Sequence, residues 1–215
     1  MVVTHKKNKE WFTEVIGVLD ECYPNAQCSL DFSTPLQLLF ATLLSAQTTD
    51  VRVNIVTKTL FSRYTTVEDY ARADIDDIAE IIRSIGCYRV KAKNIVACAG
   101  QLCRNYGGQV PQTLEELVTL PGIGRKTANV VLSNGFDKPG FAVDTHVTRV
   151  SKRLGWTRES DPVKIERELC RYIEPELWGH TSHLLIYHGR AICKARSPQC
   201  ENCPVEMLCK KVLKG

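Results

Sequence analysis

Four of the ten cysteines in this 215-residue chain lie within its last 23 residues, at Cys193, Cys200, Cys203 and Cys209. Their spacing is C-x6-C-x2-C-x5-C, in a short, proline-containing stretch with little helical pattern. Four thiolates that converge on one point repel each other unless a cation neutralises them, and a metal centre also orders a segment too short to build its own core. We therefore expect a metal site. Zinc and a 4Fe-4S cluster both accept four cysteines, and the spacing alone leaves the choice open.

A second candidate site is the segment LPGIG at residues 120–124, which separates two helical patterns by a tight turn. We expect Gly122 and Gly124 to adopt positive φ and to present bare amides at the N-terminus of the helix that opens near Arg125. The helix dipole favours an anion at that end, so a phosphate can dock there without a charged side chain. A plain helical hairpin is the alternative interpretation, because a lone G-x-G is a weak signal.

Two side chains near this turn could do chemistry, Lys126 directly after it and Asp144 before the next helical segment. An amine attacks carbon only as the free base, and Arg125, the helix N-terminus and partial burial would each disfavour the charge on Lys126. From the residues alone, a solvated or phosphate-bound lysine is the more common case. Asp144 can cap the helix that starts near Thr145. Because a capping carboxylate has a fixed direction, capping and catalysis are compatible.

Composition and charge narrow the class of protein. Apolar residues make up 44% and charged residues 24%, as in a globular protein, and no run approaches the ~18 apolar residues of a membrane span. The N-terminal MVVTHKKNKEW lacks the apolar core of a signal peptide, so we expect a cytoplasmic protein whose cysteines stay reduced. Residues 83–104 hold five basic residues and no acidic one. That segregation favours a nucleic-acid partner, with solvated helix faces as the alternative.

Helical patterns follow one another along the chain, and strand signals are sparse, so the predicted fold class is all-α. Thr34 followed by Pro35 predicts a helix start, and the apolar LQLLFATLLSA behind it predicts a central, buried helix. We expect Asp50 to cap a helix through Leu60, and Gly86 to end the isoleucine-rich helix that precedes it.

Several segments together resemble the endonuclease III family of DNA repair glycosylases. LPGIGRKTANVVL is similar to the family's helix-hairpin-helix, AVDTHVTRV to the segment with its catalytic aspartate, and the cysteine spacing to its 4Fe-4S loop. LLSAQTTD and IGCYRVKAKNI resemble further family segments, so the match runs from about residue 33 to 209. The resemblance implies a six-helix barrel with the hairpin over residues 28–138. It also implies an iron-sulfur cluster domain over 1–27 and 139–215, with DNA bound in the cleft between the two.

The resemblance also implies roles for individual residues. It makes Lys126 the nucleophile and Asp144 the catalytic carboxylate, with the four cysteines as ligands of a 4Fe-4S cluster. It places Gln47 where the family fills the gap left by an everted nucleotide, whereas Cys87 replaces the larger apolar wedge of the family. The remaining DNA-binding candidates are Lys91, Gly122, Gly124, Arg125 and His146.

The implied activity is that of a bifunctional DNA N-glycosylase and AP (apurinic/apyrimidinic) lyase. It would act as a monomer on duplex DNA that contains damaged pyrimidines or abasic sites, in a bacterial or archaeal cell and without a membrane partner. A relative with another lesion preference, such as mismatched thymine or a pyrimidine dimer, is one alternative. A non-catalytic DNA-binding protein with a structural zinc is the other. Lys126 argues against the adenine-mismatch relatives.

Overall fold

Helices make up the fold that the computed structural model describes for residues 6–212, and no strand occurs among those residues. The all-α prediction is confirmed. The helices are α1 (Lys9–Cys22), α2 (Pro35–Ser45), α3 (Asp50–Arg63), α4 (Val67–Arg72), α5 (Ile75–Ile81), α6 (Tyr88–Tyr106), α7 (Leu114–Leu117), α8 (Arg125–Gly135), α9 (Thr145–Leu154), α10 (Pro162–Leu169) and α11 (Trp178–Ala191), with single 3-10 turns at Pro175–Leu177, Cys200–Asn202 and Glu206–Leu208. None of the helices described is long and apolar enough to cross a membrane.

The chain divides into two units, one formed by Ser29–Lys138 and the other by Met1–Cys28 together with Pro139–Gly215. In the first unit α2 is the central helix, packed against α3, α6 and α8. Its seven residues 38–44 are all buried, as its apolar sequence predicts. The Thr34 hydroxyl accepts the Gln37 amide and Pro35 occupies the first helical position, so the predicted start of this helix is confirmed.

In this unit, the predicted cap at the start of α3 and the predicted end of α5 are both wrong. Thr49, not Asp50, caps α3, because its hydroxyl reaches the Arg52 amide. Asp50 lies inside the first turn, where its carboxylate accepts the Ser29 hydroxyl at 2.6 Å. Helix α5 ends at Ile81 rather than at Gly86. The chain continues through tight turns that bury the last isoleucines of the stripe, because their side chains pack into the core beyond the end of the helix.

The second unit packs α1, α9, α10 and α11 around an aromatic centre. Phe12 of α1 stacks on Trp156 with ring centroids 4.3 Å apart and on Tyr172 at 4.9 Å. The neighbouring Trp11 donates its indole N–H to the carbonyl of Leu208 at 2.9 Å. The N-terminal helix is therefore bonded to the cysteine-containing segment at the opposite end of the sequence.

His183 on α11 makes the stability of the fold dependent on pH. Burial, followed by the charges of His180 and Arg190, lowers the pKa of His183 from 6.5 to about 4. The unfolded chain therefore binds a proton as the pH falls through 6.5, while the folded chain does not until about pH 4. Stability is lost over that window.

We expect His183→Gln to reduce this loss, because the substitution removes the group whose pKa differs between the two states. The free energy of unfolding should fall between pH 7 and pH 5 in both proteins. That fall should be about 2 kcal/mol smaller in His183→Gln than in the parent. Urea denaturation of the parent and of His183→Gln at the two pH values measures the difference. Equal losses in parent and His183→Gln would contradict this assignment.

Candidate functional site

The turn between α7 and α8 requires glycine at position 122. Gly122 has φ +78°, and a Cβ added there would lie 2.7 Å from the amide nitrogen of Asn94 on α6. The Ile123 amide closes the turn on the Leu120 carbonyl at 3.1 Å, and the Ile123 side chain is buried. A side chain at position 122 is therefore excluded by backbone strain and by close packing together.

Gly124 plays a different part from the one expected. Its φ is −91°, so the prediction of a positive φ is wrong. Gly124 is the N-cap of α8 in extended backbone, and its missing side chain leaves open space and no side-chain cap for the first amides of the helix. Those amides and the helix dipole suit an anion, because glycine lets it approach the backbone.

Lys126 is an exposed residue in the first turn of α8. The helix buries Ala128, Val131 and Leu132 against the rest of its unit. The helical period therefore directs Lys126 away from this buried face. Arg125, the residue before it, is half-buried. The amine at this position is available to a molecule bound at the turn.

Asp144 caps α9 as predicted. Its Oδ1 accepts the Val147 amide at 2.8 Å, and its Oδ2 lies 3.0 Å from Nδ1 of His146. The Asp144 side chain is only 15% exposed and that of His146 is 28% exposed. Because one oxygen is bonded to backbone and the other faces an imidazole, the direction of the carboxylate is fixed. His146 thus contacts Asp144 directly, in addition to its predicted place among the DNA-binding residues.

Two arginines one turn apart on α9 bind the segment that carries the cysteines. Arg149 donates to the carbonyls of Gly189 and Cys193 at 2.9 and 3.0 Å. Arg153 donates to the carbonyls of Lys194 and Ala195 at 2.7 and 3.0 Å, and its guanidinium lies 3.5 Å from the Cys193 sulfur. Sequence reasoning missed both residues, although their i, i+4 spacing places them on one face of a helix.

The four predicted ligands lie together, since Cys193, Cys200, Cys203 and Cys209 all line one cavity. The same cavity is lined by apolar residues, among them Val150, Leu154, Ile192 and Val205. Burial raises the pKa of the Cys203 thiol to about 11 and also raises that of Cys209. Thiolates in such surroundings need a compensating cation, so the donor set fits a metal centre.

Four cysteines that line one cavity suit either of two centres. Zinc binds four sulfurs at about 2.3 Å, and a 4Fe-4S cluster accepts one thiolate at each iron.

His188 and Tyr23 lie beside this cavity and were not singled out from the sequence as parts of the site. The His188 Nε2 is 3.6 Å from the Cys203 sulfur, and its Nδ1 is 3.1 Å from the Tyr23 hydroxyl. Burial lowers the pKa of His188 to about 4, so the ring is neutral at pH 7. A metal-bound thiolate only accepts hydrogen bonds, so with a metal bound the tautomer that fits would carry its N–H at Nε2, towards Cys203, and accept the tyrosine proton at Nδ1. Tyr23 and His188 are 165 positions apart in the sequence, so no local sequence pattern predicts their contact.

The remaining candidates lie around the end of α2. Gln47 is exposed and has φ +55°, and Cys87 at the start of α6 is exposed with φ +57°. Lys91, predicted to bind DNA, is instead 6% exposed, with its ammonium group bonded inside the protein. The neighbouring Lys93 is exposed.

Comparison with known proteins adds two family matches. The model described as "HhH-GPD superfamily base excision DNA repair protein" matches residues 40–175, which begin within α2 and extend past the end of α10. A second model, the iron-sulfur binding domain of endonuclease III, matches residues 193–209. Those bounds coincide with Cys193 and Cys209, the first and last of the four cysteines.

Individual proteins match over almost the whole chain. The endonuclease III of Synechocystis sp. is 50% identical over 202 residues, which cover 94% of this chain and 92% of the relative. That of Bacillus subtilis is 48% identical over 206 residues, covering 95% and 93%. A solved non-covalent endonuclease III–DNA complex superposes with a TM-score of 0.89 at 45% identity, covering 95% of this chain and 96% of the other.

The contacts of Arg153 predict a role in retaining the cluster. Arg153→Met removes its hydrogen bonds to the cysteine segment, so we expect iron to be lost to a chelator about tenfold faster. Iron content and visible absorbance, followed over time, measure this loss. Lys152→Met, which also removes one charge from α9, is the control. Equal rates of loss in the two variants, or zinc in place of iron in the purified parent, would contradict the prediction.

Proposed function

Because this chain belongs to the endonuclease III family within the HhH-GPD superfamily of base excision DNA repair proteins, we propose that Lys126 and Asp144 carry out its DNA glycosylase and AP lyase reaction. The observation that carries the proposal is the position of Lys126. This exposed amine follows a turn whose open amides suit a DNA phosphate. A sugar held by that phosphate comes within reach of the amine.

Lys126 supplies the covalent step. Its uncharged amine attacks C1′ of the damaged nucleotide, so a C–N bond forms while the bond to the base breaks and the base departs with the electron pair. Ring opening gives an imine between Lys126 and the sugar. Loss of a proton from C2′ then breaks the C–O bond on the 3′ side, which nicks the strand by β-elimination. Water releases the lysine by hydrolysis of the imine.

Asp144 acts by charge and direction. As the base leaves, positive charge develops on the sugar, and a nearby carboxylate stabilises it. The same carboxylate can accept the proton that the attacking amine loses. Both roles need an oxygen aimed in one direction, and the bonds to the Val147 amide and to His146 provide that constraint.

The other candidates bind the DNA. Gly122, Gly124 and Arg125 form the phosphate-binding turn. Gln47 fills the place of the everted nucleotide, because its amide can pair with the orphaned base. In the other unit, His146 is the DNA-binding candidate and contacts Asp144.

The match of residues 193–209 to an iron-sulfur binding domain supports the four cysteines as the ligands of a 4Fe-4S cluster, and the zinc alternative is set aside. When bound, the cluster supplies structural order and positive charge to the cysteine segment. The segment carries basic side chains, which suit a second contact with the DNA backbone. They are Lys194, Arg196, Lys210 and Lys211.

The substrate class is duplex DNA with oxidised or ring-saturated pyrimidines or abasic sites. The related endonuclease III chains have been solved with DNA, both in a non-covalent complex and as a trapped covalent intermediate. The relatives named above are bacterial, and we place this enzyme with the chromosome in the cytoplasm, acting as a monomer.

Lys126→Gln tests the assignment of the nucleophile. We expect it to lower nicking of an abasic duplex by roughly a thousandfold or more and to abolish the adduct that borohydride traps, because no imine forms without the amine. Lys138→Gln, at another exposed lysine of the same unit, is the control for charge. Peptide mapping of the parental adduct should identify residue 126.

Parental nicking rates in Lys126→Gln, or an adduct on another lysine, would refute this role. A panel of duplexes with oxidised pyrimidines, mismatched thymine or pyrimidine dimers then tests the substrate class. We expect excision to be fastest with the oxidised pyrimidines, and preference for another lesion would replace that part of the proposal.

A further inference from the structure

Lys91 is a buried charged side chain whose partners all lie at one end of α2. Its Nζ donates to the carbonyl of Leu44 at 2.9 Å and to that of Ala46 at 2.6 Å. A third contact, at 3.4 Å, reaches the hydroxyl of Thr48. A buried ammonium group is costly unless it is hydrogen-bonded, so these three oxygens fix where the side chain lies.

The end of α2 needs such a partner. The last carbonyl groups of an α-helix accept no hydrogen bond from an amide of the same helix, and the helix dipole places partial negative charge at this end. The last turn of α2 contains no basic residue of its own. Lys91, from α6, therefore supplies the cation that the C-terminus of α2 lacks.

Gln47 lies in the middle of the segment that Lys91 holds. The lysine bonds the residue before it, Ala46, and the residue after it, Thr48. Gln47 itself is exposed with φ +55°, a conformation that costs energy for a residue with a side chain. Contacts on both sides oppose relaxation of this strained residue.

A second strained residue lies beside the first. Cys87 is exposed with φ +57°, and its carbonyl accepts the Lys91 amide at 3.1 Å, one turn along α6. A Cβ added at Gly86 would lie 3.8 Å from the Gln47 carbonyl. The Gln47 turn and the Gly86–Cys87 turn are thus neighbours, and Lys91 is bonded to both through its ammonium group and its own amide.

We propose that Lys91 is a positioning residue that holds Gln47, together with Cys87, in the shape needed to enter the gap left by an everted nucleotide. This rests on the proposed glycosylase function and on the gap-filling role of Gln47. Lys91 acts through Gln47 rather than through a DNA phosphate, because its ammonium group is directed to carbonyls inside the protein.

The test compares Lys91→Met with Lys93→Met, which removes the same charge from an exposed position on the same helix. We expect Lys91→Met to slow base excision from a lesion duplex about tenfold, since a misplaced side chain loses its alignment with the DNA. The slope of log affinity against log salt should stay parental. A phosphate contact would instead lower that slope by about one, and this result would overturn the proposal.

A mutant cycle with Gln47→Ala tests whether Lys91 acts through Gln47. The double variant should excise the base within about twofold of Gln47→Ala alone, whereas independent roles would multiply the two losses and overturn the proposal. Nicking of a single-stranded abasic oligonucleotide, which has no opposite base, should be unchanged in Lys91→Met. A parental enzyme that fails to nick any abasic DNA would refute the proposed function instead.

Thermal melting and iron content are measured on every variant. If Lys91→Met does not fold, Thr48→Val removes only one oxygen of the set and keeps the lysine. It should slow excision by about two- to threefold in the parent and have no effect in Gln47→Ala. An equal effect of Thr48→Val in both backgrounds would overturn the proposal.

Discussion

The hydrogen bonds from Arg149 and Arg153 to the carbonyls around Cys193 are the constraint on which the second unit depends. Both arginines lie on α9, and Asp144 caps the same helix at its other end. A ten-residue helix spans only about 15 Å and is stiff along that length. The cysteine segment and the Asp144 carboxylate are therefore both attached to one helix.

The cysteine segment needs help from outside because it has little structure of its own. Its regular elements are two single 3-10 turns, and Val205 is its one residue in the buried hydrophobic core among those described. Trp11 and the two arginines bond its carbonyls, and the sulfurs face one cavity. A metal cluster completes such a segment, because metal binding contributes directly to the free energy of folding.

In the first unit, backbone conformation shapes the turns that carry the DNA-binding candidates. In the second unit, a cofactor orders the cysteine segment. Gly122, Gln47 and Cys87 all have positive φ, and each lies in a turn assigned to DNA. Glycine adopts this conformation without strain, whereas Gln47 and Cys87 depend on the structure around them. The buried Lys91 ammonium group is bonded to the Gln47 turn, and the Lys91 backbone amide is bonded to the Cys87 carbonyl. A rigid arrangement of exposed side chains suits the gap-filling role that we propose for Gln47.

The amino-acid sequence by itself determined the features that depend on near neighbours along the chain. The helix starts at Thr34 and Asp144, the buried α2, the glycine at position 122 and the set of four cysteines follow from local spacing, because caps, periodicity and turns involve residues a few positions apart. Only the tertiary structure decided the burial of Lys91 and the contact of Tyr23 with His188. Each depends on groups from distant parts of the chain, whose approach is governed by packing that no local pattern encodes.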